Sequence, residues 1–175
     1  MSHRYIMFAR YNAWANDRVY DAAEKLSDAD YRADCGAFFK SVHGTLNHLL
    51  VADRIWMRRF TGAGPSPTRL DEILFDGFSE LRAARQAEDR RIVDYVAGLT
   101  DAALAGDFRY RTIVNPADME QPLAPALDHF FNHHAHHRGQ VHALLSGFLG
   151  NAATPSLDLL IFQRESGMVK SRKVE

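Results

Sequence analysis

Six of the chain's nine histidines fall between His129 and His142. Two of them, His133 and His137, are four residues apart. On a helix that spacing leaves them about 40° apart on one face, with Cβ atoms roughly 5–6 Å from each other. Imidazoles so placed can share one metal ion, as in the helical His-x-x-x-His pair of zinc proteases. His129 lies one turn earlier on the same side, so three histidines stripe this face. His134 is about 100° away from His133 and turns elsewhere. His136 is seven residues after His129, which leaves a second ligand register open. Several imidazoles beside a core carry a desolvation cost unless something pairs with them.

A metal held by two histidines needs protein ligands from another helix. The segment Leu46-Asn47-His48-Leu49-Leu50-Val51 places His48 inside an apolar run, where a buried ligand belongs. His43 is five residues earlier, about 140° round the helix, so both cannot face one metal. The set His48, His133 and His137 is therefore chosen. Three protein ligands with an open position are the catalytic arrangement, whereas structural sites are closed by four. An all-histidine set suits zinc, nickel, copper or iron. A metal there would lower the pKa of water, or let a substrate thiol ionise in its place.

Ligand histidines usually donate their other ring nitrogen to a carboxylate or carbonyl. Asp53 and Asp128 stand in the right neighbourhood, although inter-helix or surface ion pairs are the commoner use of such residues. Asn12, Asn16 and Asn47 interrupt apolar helices, where they line a pocket or bond helix to helix. Arg138 is placed either to bind an anionic substrate or, more commonly, to pair with a carboxylate across the bundle. Trp14, Phe39, Trp56 and Phe130 read as core. No serine lies in a nucleophile elbow, and Cys35 has no histidine nearby in sequence, so serine and cysteine nucleophiles are poor readings.

These residues sit on long helices. Apolar residues recur near a 3.6 period in Tyr5–Leu26, Phe38–Phe60, Phe78–Leu99 and Ala124–Leu149. Ser27 and Asp28 read as a stop followed by a new cap. Thr61-Gly-Ala-Gly-Pro-Ser-Pro breaks the second helix, and Leu70–Phe75 is a short turn or irregular connection. Phe108, Tyr110, Thr112 and Val114 alternate, so Asp107–Leu123 reads as a small hairpin or extended loop. Pro125 suits a first helical turn. A short amphipathic helix follows over Leu157–Arg164, and 166–175 is a frayed tail. The fold class is all-α: a four-helix bundle with one long crossover connection, as one domain over 1–175. Lys plus Arg number 21 and Asp plus Glu 22, which argues against broad nucleic-acid binding. The single cysteine suits a reducing cytoplasm, and no apolar run is long enough for a membrane span.

Four stretches carry a resemblance: Tyr11-Asn12-Ala13-Trp14-Ala15-Asn16; His43-Gly44-Thr45-Leu46-Asn47-His48 with Asp53-Arg54-Ile55-Trp56; Asn132-His133-His134-Ala135-His136-His137-Arg138-Gly139-Gln140; and Leu157-Asp158-Leu159-Leu160. Together they resemble the DinB/YfiT-like family of metal-binding four-helix bundles over nearly the whole length. The resemblance implies ligands at positions matching His48, His133 and His137, one divalent ion (zinc or nickel foremost, with iron, copper or manganese as further candidates) and a homodimer. It implies a metal-dependent enzyme activating a low-molecular-weight thiol or water, of transferase, isomerase or hydrolase type. The alternative is a non-catalytic metal-binding protein of a damage-inducible stress response. An apolar last helix, Leu157 to Phe162, also calls for cover by a second copy.

Overall fold

The periodic segments fold as helices in the computed structural model, which describes residues 2–170. Four are long: α1 (Ser2–Ala23), α3 (Val42–Thr61), α4 (Phe78–Ala97) and α6 (Leu123–Leu149). Short helices α2 (Asp28–Arg32), α5 (Asp101–Ala105) and α7 (Leu159–Glu165) lie between or after them. A two-stranded antiparallel hairpin, β1 (Asp107–Arg111) and β2 (Asp118–Pro122), pairs Asp107 with Pro122 and Arg111 with Asp118. The expected tail lies outside the described residues from 171 onward, and Ser166–Lys170 have left the last helix.

Helix α1 packs on α4 and α6, and α3 packs on the same two partners. Side-chain pairs fix the directions. His48 meets His137 while Trp56 meets His129, so α3 and α6 are antiparallel. Asp53 meets Arg85 while Thr61 meets Arg91, so α3 and α4 run parallel. Parallel neighbours require a long return, and residues 62–77 supply it. That crossover runs back along α3: Asn47 Oδ1 accepts from the backbone N–H of Leu74 and Phe75, at 2.9 and 3.0 Å. His43 Nε2 lies 3.2 Å from the Phe75 carbonyl.

Helix α3 starts four residues later than the apolar pattern indicates. Lys40 has φ 68°, a left-handed turn conformation. Ser41 then caps the helix, its hydroxyl accepting from Gly44 N–H at 3.0 Å. Gly44 is required there because a Cβ would collide with the Phe39 carbonyl. Phe38–Lys40 therefore form a turn, which leaves Phe38 84% exposed. Helix α5 was not foreseen. Five residues are too few to show a period, and its signal is only Thr100 accepting from Ala103 N–H.

The core has two apolar halves. One gathers Tyr5, Met57, Ile92 and Phe130, and the other gathers Tyr20, Leu46, Leu81 and Val141. Between them each long helix contributes buried polar residues: Asn12 and Asn16, Asp53, Arg85 and Asp89, and His134 and Arg138. Arg85 pairs with both Asp53 and Asp89, and Asp89 accepts from Asn12 and Asn16 at 3.2 and 2.9 Å. Arg138 donates to Asn12. Arg85 and the two carboxylates satisfy each other, as burial demands, while Arg138 rests on an amide oxygen.

Candidate metal centre

His48, His133 and His137 converge between α3 and α6. One ring nitrogen of each lies within 4.8 Å of the others. His137 Nε2 is 3.2 Å from His48 Nε2 and 3.1 Å from His133 Nε2. Zinc–imidazole bonds of about 2.0–2.1 Å at a tetrahedral angle would hold such nitrogens roughly 3.3 Å apart. The spacing therefore fits a shared ion.

The outer nitrogens determine what the inner ones can do. His48 Nδ1 lies 2.7 Å from the carbonyl of Leu70 in the crossover. A carbonyl only accepts, so Nδ1 carries the proton and Nε2 of the neutral ring is a bare lone pair. His137 Nδ1 donates in the same way to Gln140 Oε1 at 2.8 Å, while Gln140 Nε2 faces His136 Nε2 at 3.2 Å. Two lone pairs thus face each other at the cluster, a repulsive arrangement that a cation would relieve. His133 Nδ1 has no hydrogen-bond partner among the described residues.

Burial pushes His48 down to about 4 and His133 down to about 3, against 6.5 ordinarily. Burial also lowers His137. The neutral, ligand-ready form is therefore the resident one. Phe39 stacks on the His48 ring with centroids 3.7 Å apart and meets His137 edge-on at 5.6 Å. This aromatic wall shields one side of the cluster. His133 is only partly buried, so the cluster opens on that side.

The other histidines have separate partners. His134 is fully buried, with Nε2 on Asp53 and Nδ1 2.6 Å from the Phe130 carbonyl. His129 packs on Trp56 with ring centroids 5.1 Å apart, and His136 is exposed beside Gln140. His43 ties the crossover to α3.

The alternatives left open for the remaining polar residues are resolved, with Arg138 departing from the carboxylate pairing expected of it. Asp53 does not support a cluster histidine; it joins α3 to α4 and α6 through Arg85 and His134. Burial raises its pKa, but Arg85 and His134 outweigh that and hold the carboxyl below the usual range. Asp128 is at the surface, bonded to Arg4 and Tyr5. Arg138 meets Asn12 and the face of Tyr11 rather than a carboxylate. Asn12 and Asn16 bond across the core, and Asn47 anchors the crossover. The residues that sequence reasoning missed are Phe39, Gln140 and the Leu70 carbonyl. Only Gln140 carried a usable signal, standing one turn after His137 on its face.

A helical bundle with a three-histidine cluster between two of its long helices is an arrangement that could hold a metal ion. The chain belongs to the DinB family, whose profile it matches over residues 1–165. It is similar to Protein DinB of Bacillus subtilis (strain 168), 24% identical over 155 residues covering 83% of this chain and 86% of that protein. Among the described residues no helix is long and apolar enough to cross a membrane.

Proposed function

We propose that this chain binds one divalent transition metal through His48, His133 and His137 and uses it to activate a small thiol or water. The family resemblance puts zinc and nickel first, while three imidazoles suit copper and iron as well and manganese least. The observation that carries the reading is the pair of 3.1 and 3.2 Å Nε2 contacts, with the outer nitrogens of His48 and His137 held by acceptors. When bound, the ion would supply Lewis acidity and hold the thiol or water in its deprotonated form near neutral pH. The protein would do the rest. Leu70 and Gln140 aim two rings, Phe39 excludes water from one side, and partly exposed His133 leaves a way in. A homodimer belongs to the same reading, with apolar Leu160, Met168 and Val169 exposed near the last helix.

Metal analysis of protein purified without an affinity tag tests the first part, with about one ion per chain expected. Cobalt substitution tests the second, because a thiol entering the open position would change the visible spectrum. Absence of a tightly bound metal overturns the reading. Metal without thiol or water exchange converts it to that of a non-catalytic metal-binding protein.

A further inference from the structure

The edge of α3 that carries His48 also carries Arg59. Eleven residues separate them, which is about 20° in azimuth and roughly 16 Å along the axis. Between them Trp56 packs on His129, and His129 lies with its ring 5.8 Å from that of His133. The row therefore runs from the histidine cluster, over His129 and Trp56, to Arg59 without leaving the α3–α6 seam.

Arg59 is held but not neutralised. Its guanidinium carbon lies 4.7 Å from the Trp56 ring and 4.8 Å from the Tyr110 ring. One N–H donates to the Arg111 carbonyl at 3.0 Å. Among the described residues no carboxylate pairs with it. Arg109 and Arg111, next to it on the hairpin, are already matched by Glu120 and Asp118. Partial burial lowers the Arg59 pKa, which reflects a charge that has lost water without gaining a counter-ion. Two aromatic faces hold the planar fork in place, and four of its five N–H donors remain for a ligand. A carboxylate or phosphate is the group such a fork accepts in two parallel hydrogen bonds.

We propose that Arg59 is the anion-binding end of the site, so that its substrate is an elongated anion with the metal-seeking atom and the carboxylate or phosphate on the order of 10–15 Å apart. This rests on the metal-centre reading above. Exposed His129 forms the surface on which the connecting part of the substrate lies, with buried Trp56 beneath it.

The test uses full-length cobalt-loaded protein and two pairs of thiols. Mercaptoundecanoate and mercaptoundecanol can span the row and differ in the terminal charge; mercaptopropionate and mercaptopropanol are too short to reach Arg59. Binding is read from the cobalt absorption. Mercaptoundecanoate should bind at least about tenfold tighter than its alcohol, and the short pair should differ little. Arg59→Gln should abolish the long-chain preference while the short thiols bind the cobalt as before, and Arg59→Lys should keep part of the preference. Equal affinities within the long pair, or a preference that survives Arg59→Gln, overturns the anion end while both thiols still report an open metal. An equal preference in the short pair also overturns it, because the charge would then act at the metal. No spectral response to any thiol instead removes the open, thiol-accepting position of the metal-centre reading, and this inference with it.

Discussion

His134 and Asp53 meet at the centre of the bundle, where neither has measurable exposure, the imidazole Nε2 against the carboxylate. That pairing sorts the histidine segment. His134 is next to His133 in sequence, yet it faces the polar layer of the core, while its neighbour faces His48. A carboxylate with a cation and an imidazole on it is costly to break from either side, because the partner stays buried. Asp53→Asn should therefore destabilise the fold by about 3 kcal/mol or more, read as a lower urea midpoint near neutral pH. Metal content per folded chain should stay unchanged, because the three cluster histidines are untouched.

Replacing His48, His133 or His137 singly by Ala should each abolish tight metal binding. His129→Ala and His136→Ala should leave one ion per chain, since neither ring joins the group of nitrogens within 4.8 Å of one another. Elemental analysis of tag-free protein separates the two groups. Equal metal content across all five variants would sink the ligand assignment.

Gln140 acts at one remove. It accepts from His137 Nδ1 and so fixes which nitrogen of that ring is bare. Partners of this kind are worth about 10- to 100-fold in metal affinity. Gln140→Leu should weaken binding by that factor in a chelator competition, and Gln140→Glu should restore most of it.

The metal-free protein should become less stable as pH falls. Burial lowers the pKa of His48 from 6.5 to about 4 and that of His133 to about 3. Between those values and 6.5 the unfolded chain binds protons that the folded chain refuses, so stability falls with falling pH. The contribution is complete above about pH 6.5 and diminishes as pH drops toward about 4. Urea titrations of apoprotein at several pH values should show this slope, and a His48→Gln, His133→Gln double variant should flatten it. Little difference between the two slopes would mean that the cluster rings are not held neutral by the fold.

Two copies should associate. Light scattering at micromolar concentration should report about twice the 19.8 kDa chain mass, and a monomer would remove the dimer from the functional reading.

Much of this was legible from residue spacing. The His-x-x-x-His pair and the isolated His48 declared themselves because a helix period fixes which side chains share a face. The four long helices and the hairpin followed from the same periodicities. What stayed hidden depended on chain segments brought together from far apart. Leu70 lies in an irregular connection with no period, and its carbonyl reaches His48 only because parallel α3 and α4 force the crossover back across the cluster. Phe39 read as an ordinary core residue. Its role follows from the Lys40 turn, which no apolar pattern encodes. Asp53 takes the inter-helix ion pair that such residues commonly make, but its second partner was hidden, because sequence does not say whether His48 or His134 is the nearer imidazole.

The polar layer through the middle of the core also limits how the helices can slide. A slip of α6 along α3 by one turn is about 5.4 Å. In one direction it would set Phe130 against Asp53 and leave a carboxylate facing an aromatic ring. In the other it would carry His134 into the apolar wall around Met57 and pull Arg138 from Asn12. Ordinary apolar side chains would tolerate such a ratchet far better, because one methyl-lined notch resembles the next. His133 and His137 ride on α6 itself, so the same lock that forbids the slip also indexes their height against His48.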